Sequence, residues 1–370
     1  LGDIPQVENF ADSGEYSYTI HFTTGNYGDA IPGTFEVTID RLPLTITPTL
    51  SNGTKEYDGD ADFDTDKITE TAVTGTITGE DLTAKVQSAT YNSKNVSAAN
   101  QVTITYTLSG DGVNLDNYTY DDKEIPADGQ VTVEVKSTDE MPIEITPKPI
   151  EVTGITATGR VYDGTKEVAL GGTLTTDGFE QVDSGDVGLA FAEEAKGAIV
   201  SPNASDTPVA VEVETSAVTL TGEMAGNYEI QSVNQTMVTI KKRPVSLKFP
   251  DTMSFGYTGQ ALEESKYALV VDTSKGELVS PDKLGLGDIT YAFAKEGGAS
   301  VKSPIAVGTY TVTPTLGNDS WMANYQWTIP DSGTITITQS TSATLTVTAK
   351  AAEDLIYSGE SQALLTDLTL

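Results

Sequence analysis

"KEYDG", residues 55–59, sets a tyrosine, an acid and a glycine together at the head of a run of aspartates. The frame returns as "RVYDG" ending at Gly164, "FGYTG" ending at Gly259 and "LIYSG" ending at Gly359. Between copies the acid gives way, from Asp58 and Asp163 to Thr258 and Ser358, while tyrosine and glycine stay. A catalytic carboxylate is not dispensable in half of its own copies, so the motif reads as structural. Gly59, Gly164 and Gly259 supply turns of positive φ. Tyr57, Tyr162 and Tyr257 each supply a ring that covers a module's end and a hydroxyl that reaches backbone.

Successive motif tyrosines are 105, 95 and 100 residues apart, the length of a domain rather than of a solenoid coil. A second landmark, an Asn-Tyr pair, follows at Asn117-Tyr118, Asn227-Tyr228 and Asn324-Tyr325, with "NYG" at Asn26 belonging to an earlier copy. Here asparagine marks a turn and tyrosine a packed edge. Between the two landmarks lie Asp81-Leu82, Asp186-Val187 and Asp288-Ile289, each opening a strand-like run. The chain therefore divides into a partial module at 1–42, whole modules at 43–147, 148–242 and 243–340, and a partial one at 341–370. A chain that begins within a repeat reads as an excerpt of a longer exported protein.

Period-two alternation runs through "FEVTI" (35–39), "QVTITYTL" (101–108), "VAVEVE" (209–214), "GTYTVTP" (308–314) and "GTITIT" (333–338), which predicts half-buried strands. Short helices are expected only around 185–196 and 262–269. The fold class is mainly β, with small sandwich or β-grasp-like modules. Between modules, "TIDRLPLTI" (38–46), "EITPKPIEV" (144–152) and "TIKKRPVSL" (239–247) run one strand into a proline-bearing joint of three or four residues and out into the next. Proline fixes φ and disfavours helix before it, so the joints should be extended and stiff and the modules should stand end to end as a rod.

The "YDG" openings with a following "NY" and a closing "TI-K-RP"-like strand resemble the YDG and MBG repeat families of bacterial surface and adhesin-like proteins. Modules 43–147 and 148–242 are similar to the YDG type, and 243–340, with "YTG", to the MBG type. The resemblance implies extracellular, β-rich modules repeated between a signal peptide and a wall anchor.

Composition restricts the remaining chemistry. A formal charge of −33 excludes nucleic acid and anionic membrane surfaces as partners, because no basic stripe exists to meet their phosphates. Zero cysteine excludes disulfides and thiolate sites, and no apolar run is long enough to span a membrane. His21, the only histidine, sits in an alternating strand, and no HExxH, phosphate-cradling loop or nucleophile elbow occurs. No enzyme and no required cofactor are expected.

Two patches carry binding chemistry. In "YDGDADFDTD", Asp58, Asp60, Asp62 and Asp64 offer alternate oxygen ligands of the kind Ca²⁺ takes. Alternate residues of an extended strand stand about 7 Å apart, and the sister module has "YDGTKEVAL", so the competing reading is a solvated acidic edge that deters aggregation. In "NDSWMANYQW", Trp321, Tyr325 and Trp327 gather the rings of a sugar platform, against the reading that they share one packed face. The expected function is a non-enzymatic extracellular stalk or adhesin-like region whose partners are its neighbouring modules. The alternative is a module that binds glycan or host surface protein, with Ca²⁺ as an auxiliary.

Overall fold

The computed structural model describes residues 10–20, 33–341 and 346–369. His21 and the Asn26 copy of the Asn-Tyr pair lie outside these residues. Among the described residues there is no α-helix, only single 3₁₀ turns between strands. None forms a helix long and apolar enough to cross a membrane.

Module 43–147 shows how alternation becomes a core. Leu42–Leu50 pairs antiparallel with Ile68–Thr74 and parallel with Tyr118–Tyr120. In a second sheet Gln101–Ser109 lies between Thr83–Tyr91 and Gln130–Lys136, antiparallel to both. The inward set of the central strand, Val102, Ile104, Tyr106 and Leu108, is buried, as are Leu44, Ile46 and Leu50 of the first sheet. The Tyr106 hydroxyl is 3.1 Å from Thr71 Oγ1, linking the two sheets. A short parallel pair, Gly53–Glu56 with Ile143–Thr146, then delivers Tyr57 to the module's end, where its N–H donates to the Thr146 carbonyl at 2.9 Å.

Two pairings recur in all three repeats. The opening strand runs parallel to the strand that begins at the Asn-Tyr tyrosine, with registers Leu42↔Tyr118, Lys148↔Tyr228 and Arg243↔Tyr325. The strand before the tyrosine-glycine motif runs parallel to the closing strand, so Tyr162 N–H meets the Lys241 carbonyl at 2.8 Å and Tyr257 N–H the Thr338 carbonyl at 2.9 Å. In repeat 243–340 the core is Tyr267, Phe293, Tyr310, Val312, Ile335 and Ile337.

The described residues fall into two compact units. One holds residues up to Ile155 with Gly172–Ala195 and Val213–Asn234; the other holds Thr156–Gly171, Lys196–Glu212 and Gln235 onward. The residues of the middle repeat are thus shared between the units. At the chain's extremes, Gly14–Ile20 pairs with Gly33–Ile39, and Thr348–Ala351 with Leu365–Thr369.

Three expectations need correction. The stretch 185–196 forms the strand Gly188–Phe191, antiparallel to Val218–Thr221, because Val187, Leu189 and Phe191 keep a period of two. The stretch 262–269 forms one 3₁₀ turn, Glu264–Lys266, which leads to buried Tyr267 and Leu269. The joints are also shorter than three or four residues. Only Asp40 and Arg41, Pro147, or Lys242 separate the flanking strands, since proline's fixed φ is itself extended and Pro43, Pro149 and Pro244 lie inside the outgoing strands.

Candidate functional site

The recurrent residues meet where one repeat ends and the next begins. Tyr57 does not reach backbone. Its hydroxyl donates to Asp183 Oδ2 of the following repeat at 2.7 Å, and the Tyr228 hydroxyl donates to the same oxygen at 2.6 Å. The two rings stand edge to face with centroids 5.4 Å apart, and Phe179 packs on Tyr228 from another side. Tyr228 also accepts from the Glu180 N–H at 2.9 Å, so a 3₁₀ turn supplies both a donor and, three residues on, the carboxylate. Asp183 is 1% exposed. Its other oxygen has no hydrogen-bond donor among the described residues, but the Lys94 ammonium lies 3.7 Å away as an ion pair.

The second joint repeats the first. Tyr162 and Tyr325 donate to Asp282 Oδ2 at 3.1 and 2.7 Å, Tyr325 accepts from Val279 N–H at 2.9 Å, and the rings are edge to face at 5.5 Å. Within repeat 43–147 the same acceptor set is present, with Tyr118 donating to Glu80 and accepting from Ile77 N–H at 3.3 Å.

The asparagine of each pair clamps the preceding repeat. Asn227 Oδ1 accepts from Val96 N–H at 3.0 Å while its Nδ2 donates to Asn95 Oδ1 at 3.1 Å. Asn324 does the same to Ala204 and Asn203 at 2.9 and 3.2 Å, and Asn117 to Ser13 and Asp12 at 2.7 and 2.9 Å. Asn227 and Asn324 are buried, so both ends of each amide have a partner where water is excluded. The motif glycine is needed twice over. Gly59 and Gly164 have φ of +89° and +78°, and a Cβ there would stand 2.6 Å from Val182 and 2.8 Å from Val279 of the next repeat.

A family model of the YDG domain matches residues 40–127 and 146–236, the segments that carry these two openings and their Asn-Tyr pairs. Residues 40–127 and 146–236 are YDG domains. No curated protein matches the chain. Three solved structures bear a distant likeness to it. The extracellular domain of protocadherin GammaB4 is 11% identical with a TM-score of 0.22, covering 88% of this chain and 55% of that one. The S-layer protein SbsC is 13% identical with a TM-score of 0.22, covering 93% and 47%. BT4661, a SusE-like surface located polysaccharide binding protein from the Bacteroides thetaiotaomicron heparin utilisation locus, is 10% identical with a TM-score of 0.17, covering 92% and 54%. The chain spans about half the length of each.

In the first YDG domain the aspartate run is organised around a lysine. Lys55 Nζ lies 2.7 Å from Asp58 Oδ1, 2.7 Å from Asp60 Oδ1 and 3.0 Å from the Asp62 carbonyl. Its hydrogen bond holds Asp60 below the usual carboxylate range. Asp64 turns away and accepts from Asp66 N–H at 3.0 Å, capping a 3₁₀ turn. Among the described residues no group of three or more His, Asp or Glu side chains is arranged to hold a metal ion. The second YDG domain repeats the device with Arg160, whose guanidinium pairs with Asp163. The signal was in the sequence: Lys55 and Arg160 stand two residues before the tyrosine wherever the acid is Asp, and Phe255 and Leu355 stand there where it is Thr or Ser.

Trp321, Tyr325 and Trp327 do come together. Trp321 lies 5.9 Å from each of the others, and Tyr325 and Trp327 are 5.2 Å apart, centroid to centroid. The edges interlock rather than forming a flat platform. Tyr325 is buried in the joint, and Trp327 Nε1 donates to the Met322 carbonyl at 2.9 Å, leaving both tryptophans half-buried.

Two outcomes are expected. Burial foremost, with the neighbouring carboxylates second, raises the phenol pKa of Tyr57, Tyr228, Tyr162 and Tyr325 above the ordinary value. A raised pKa stabilises the fold fully below the unfolded value, about 10, and that stability is lost as pH rises toward the folded value. Urea midpoints should therefore fall from about pH 10 upward, and a midpoint flat from about pH 9 to 12 would contradict the buried joints. Separately, millimolar Ca²⁺ should leave the melting temperature of the intact chain unchanged, while K55M should lower it in chelator and recover part of the loss with Ca²⁺. Stabilisation of the unsubstituted chain by Ca²⁺ would show that Lys55 does not fill that role.

Proposed function

We propose that this chain is a non-enzymatic spacer in an extracellular bacterial surface protein, its repeats standing end to end as a stiff rod. What supports the reading is where the recurrent chemistry is used. The motif tyrosine, the following acid and the Asn-Tyr pair all serve repeat-to-repeat contact, at Tyr57–Asp183–Tyr228 and again at Tyr162–Asp282–Tyr325. Joints of one or two residues leave little slack, and a charge of −33 makes the repeats repel one another except where a joint holds them. With zero cysteine the holding is noncovalent. The surface location rests on the YDG resemblance and on the acidic, cysteine-free composition. Glycan or host-protein binding is the second reading, and the half-buried tryptophans favour it less than a flat exposed face would.

Small-angle scattering of the intact chain should give an extended pair-distance distribution, and D183A with D282A should broaden it as both joints loosen. A radius of gyration close to the compact-globule value for 370 residues, about 21 Å, would overturn the spacer reading.

A further inference from the structure

The two completed joints show what each repeat offers its successor, and the third repeat offers the same tyrosine, glycine and backbone donor. Tyr257 leaves a strand parallel to the closing strand, as Tyr57 and Tyr162 do, and Gly259 has φ +77°. Yet Tyr257 is 43% exposed, against 1% for Tyr57 and 6% for Tyr162. Over Gly59 and Gly164 lies a valine of the next repeat; near Gly259 lies only the hydroxyl of Tyr257 itself, 3.7 Å from where a Cβ would be.

The backbone donor for an asparagine clamp can be placed as well. Tyr16 donates to the Asp12 carbonyl at 2.8 Å, and Tyr310 to the Ala306 carbonyl at 2.7 Å, each four residues back from the tyrosine of a Gly-x-Tyr strand. Ser13, whose N–H Asn117 accepts, thus corresponds to Val307. Val307 is 41% exposed, and its N–H has no acceptor among the described residues. The registers Gly256↔Thr338 and Gly308↔Ile337 put Val307 and Tyr257 at the same end of one sheet.

We propose that Tyr257, Gly259 and the Val307 N–H form a docking face for a further repeat of this class. The occupant is defined by its chemistry: a turn giving a backbone N–H and, three residues on, a carboxylate, together with a buried Asn-Tyr pair. Residues 341–370 contain no asparagine, so they do not complete the face. The clamp there is one bond weaker than its predecessors, because Ala306 replaces the side-chain acceptors of Asp12, Asn95 and Asn203. This inference rests on the spacer reading and names the partner of its third joint.

The test extends the chain after Ser340, once with a second copy of residues 243–340 and once with a second copy of 148–242, each copy carrying phenylalanine at its own motif tyrosine (Y257F or Y162F) so that its peptide is distinct, and measures nitration of the original motif tyrosines by peptide mass spectrometry. Either addition should slow nitration of Tyr257 by about tenfold relative to the original chain. Replacing both the acid and the asparagine of the added copy by alanine (D282A with N324A, or D183A with N227A) should restore the rate. Tyr257 reacting equally fast with both additions overturns the proposal. Tyr57 and Tyr162, read in the same digests, test the underlying reading separately: if they too react freely, the joints themselves are wrong.

Discussion

Everything distinctive about this chain is arranged around a carboxylate that two tyrosines from different repeats share. Burying a carboxylate costs several kcal/mol unless hydrogen bonds replace its water. Asp183 meets that condition only when Tyr57 of the preceding repeat arrives beside Tyr228 of its own, and Lys94, also from the preceding repeat, balances its charge. The joint is therefore selective as well as adhesive. A displaced neighbour would leave the acid buried with one donor, which is worse than leaving it in water.

The other recurrent residues make that meeting geometrically possible. The parallel pairing of the motif strand with the closing strand fixes where Tyr57 and Tyr162 emerge. Gly59 and Gly164 remove the Cβ that would collide with a valine of the successor. Asn227 and Asn324 each fasten a loop of the predecessor by one bond from backbone, indifferent to the side chain at Val96 or Ala204, and one to the side chain of the asparagine before it. The backbone half tolerates drift at those two positions, while the other half needs a side-chain acceptor such as Asn95 or Asn203.

The strands were legible because Val102, Ile104, Tyr106 and Leu108 alternate without interruption, and the positive φ of the motif glycines was legible from their recurrence. The partner of Tyr57 was not. It lies 126 residues away, and the acid varies between Glu80, Asp183 and Asp282, just upstream of the Asp81, Asp186 and Asp288 landmarks rather than within them. Periodicity reports what faces a module's own core; it is silent about which end residues face another module. The aspartate run drew attention as a cation site, and its cation is Lys55, three residues before the first aspartate. The two tryptophans are in contact, but their neighbour Tyr325 is committed to the joint, which the sequence spacing alone does not reveal.

A double-mutant cycle across the first joint tests this account most directly. Equilibrium urea unfolding of the intact chain would be compared for Y57F, D183N and the pair. A phenol donating to a buried carboxylate predicts a coupling of about 1.5–3 kcal/mol, with the double variant less destabilised than the sum of the single ones. Effects that add to within about 0.5 kcal/mol would mean that Tyr57 and Asp183 do not act together, and the joint would lose its central contact.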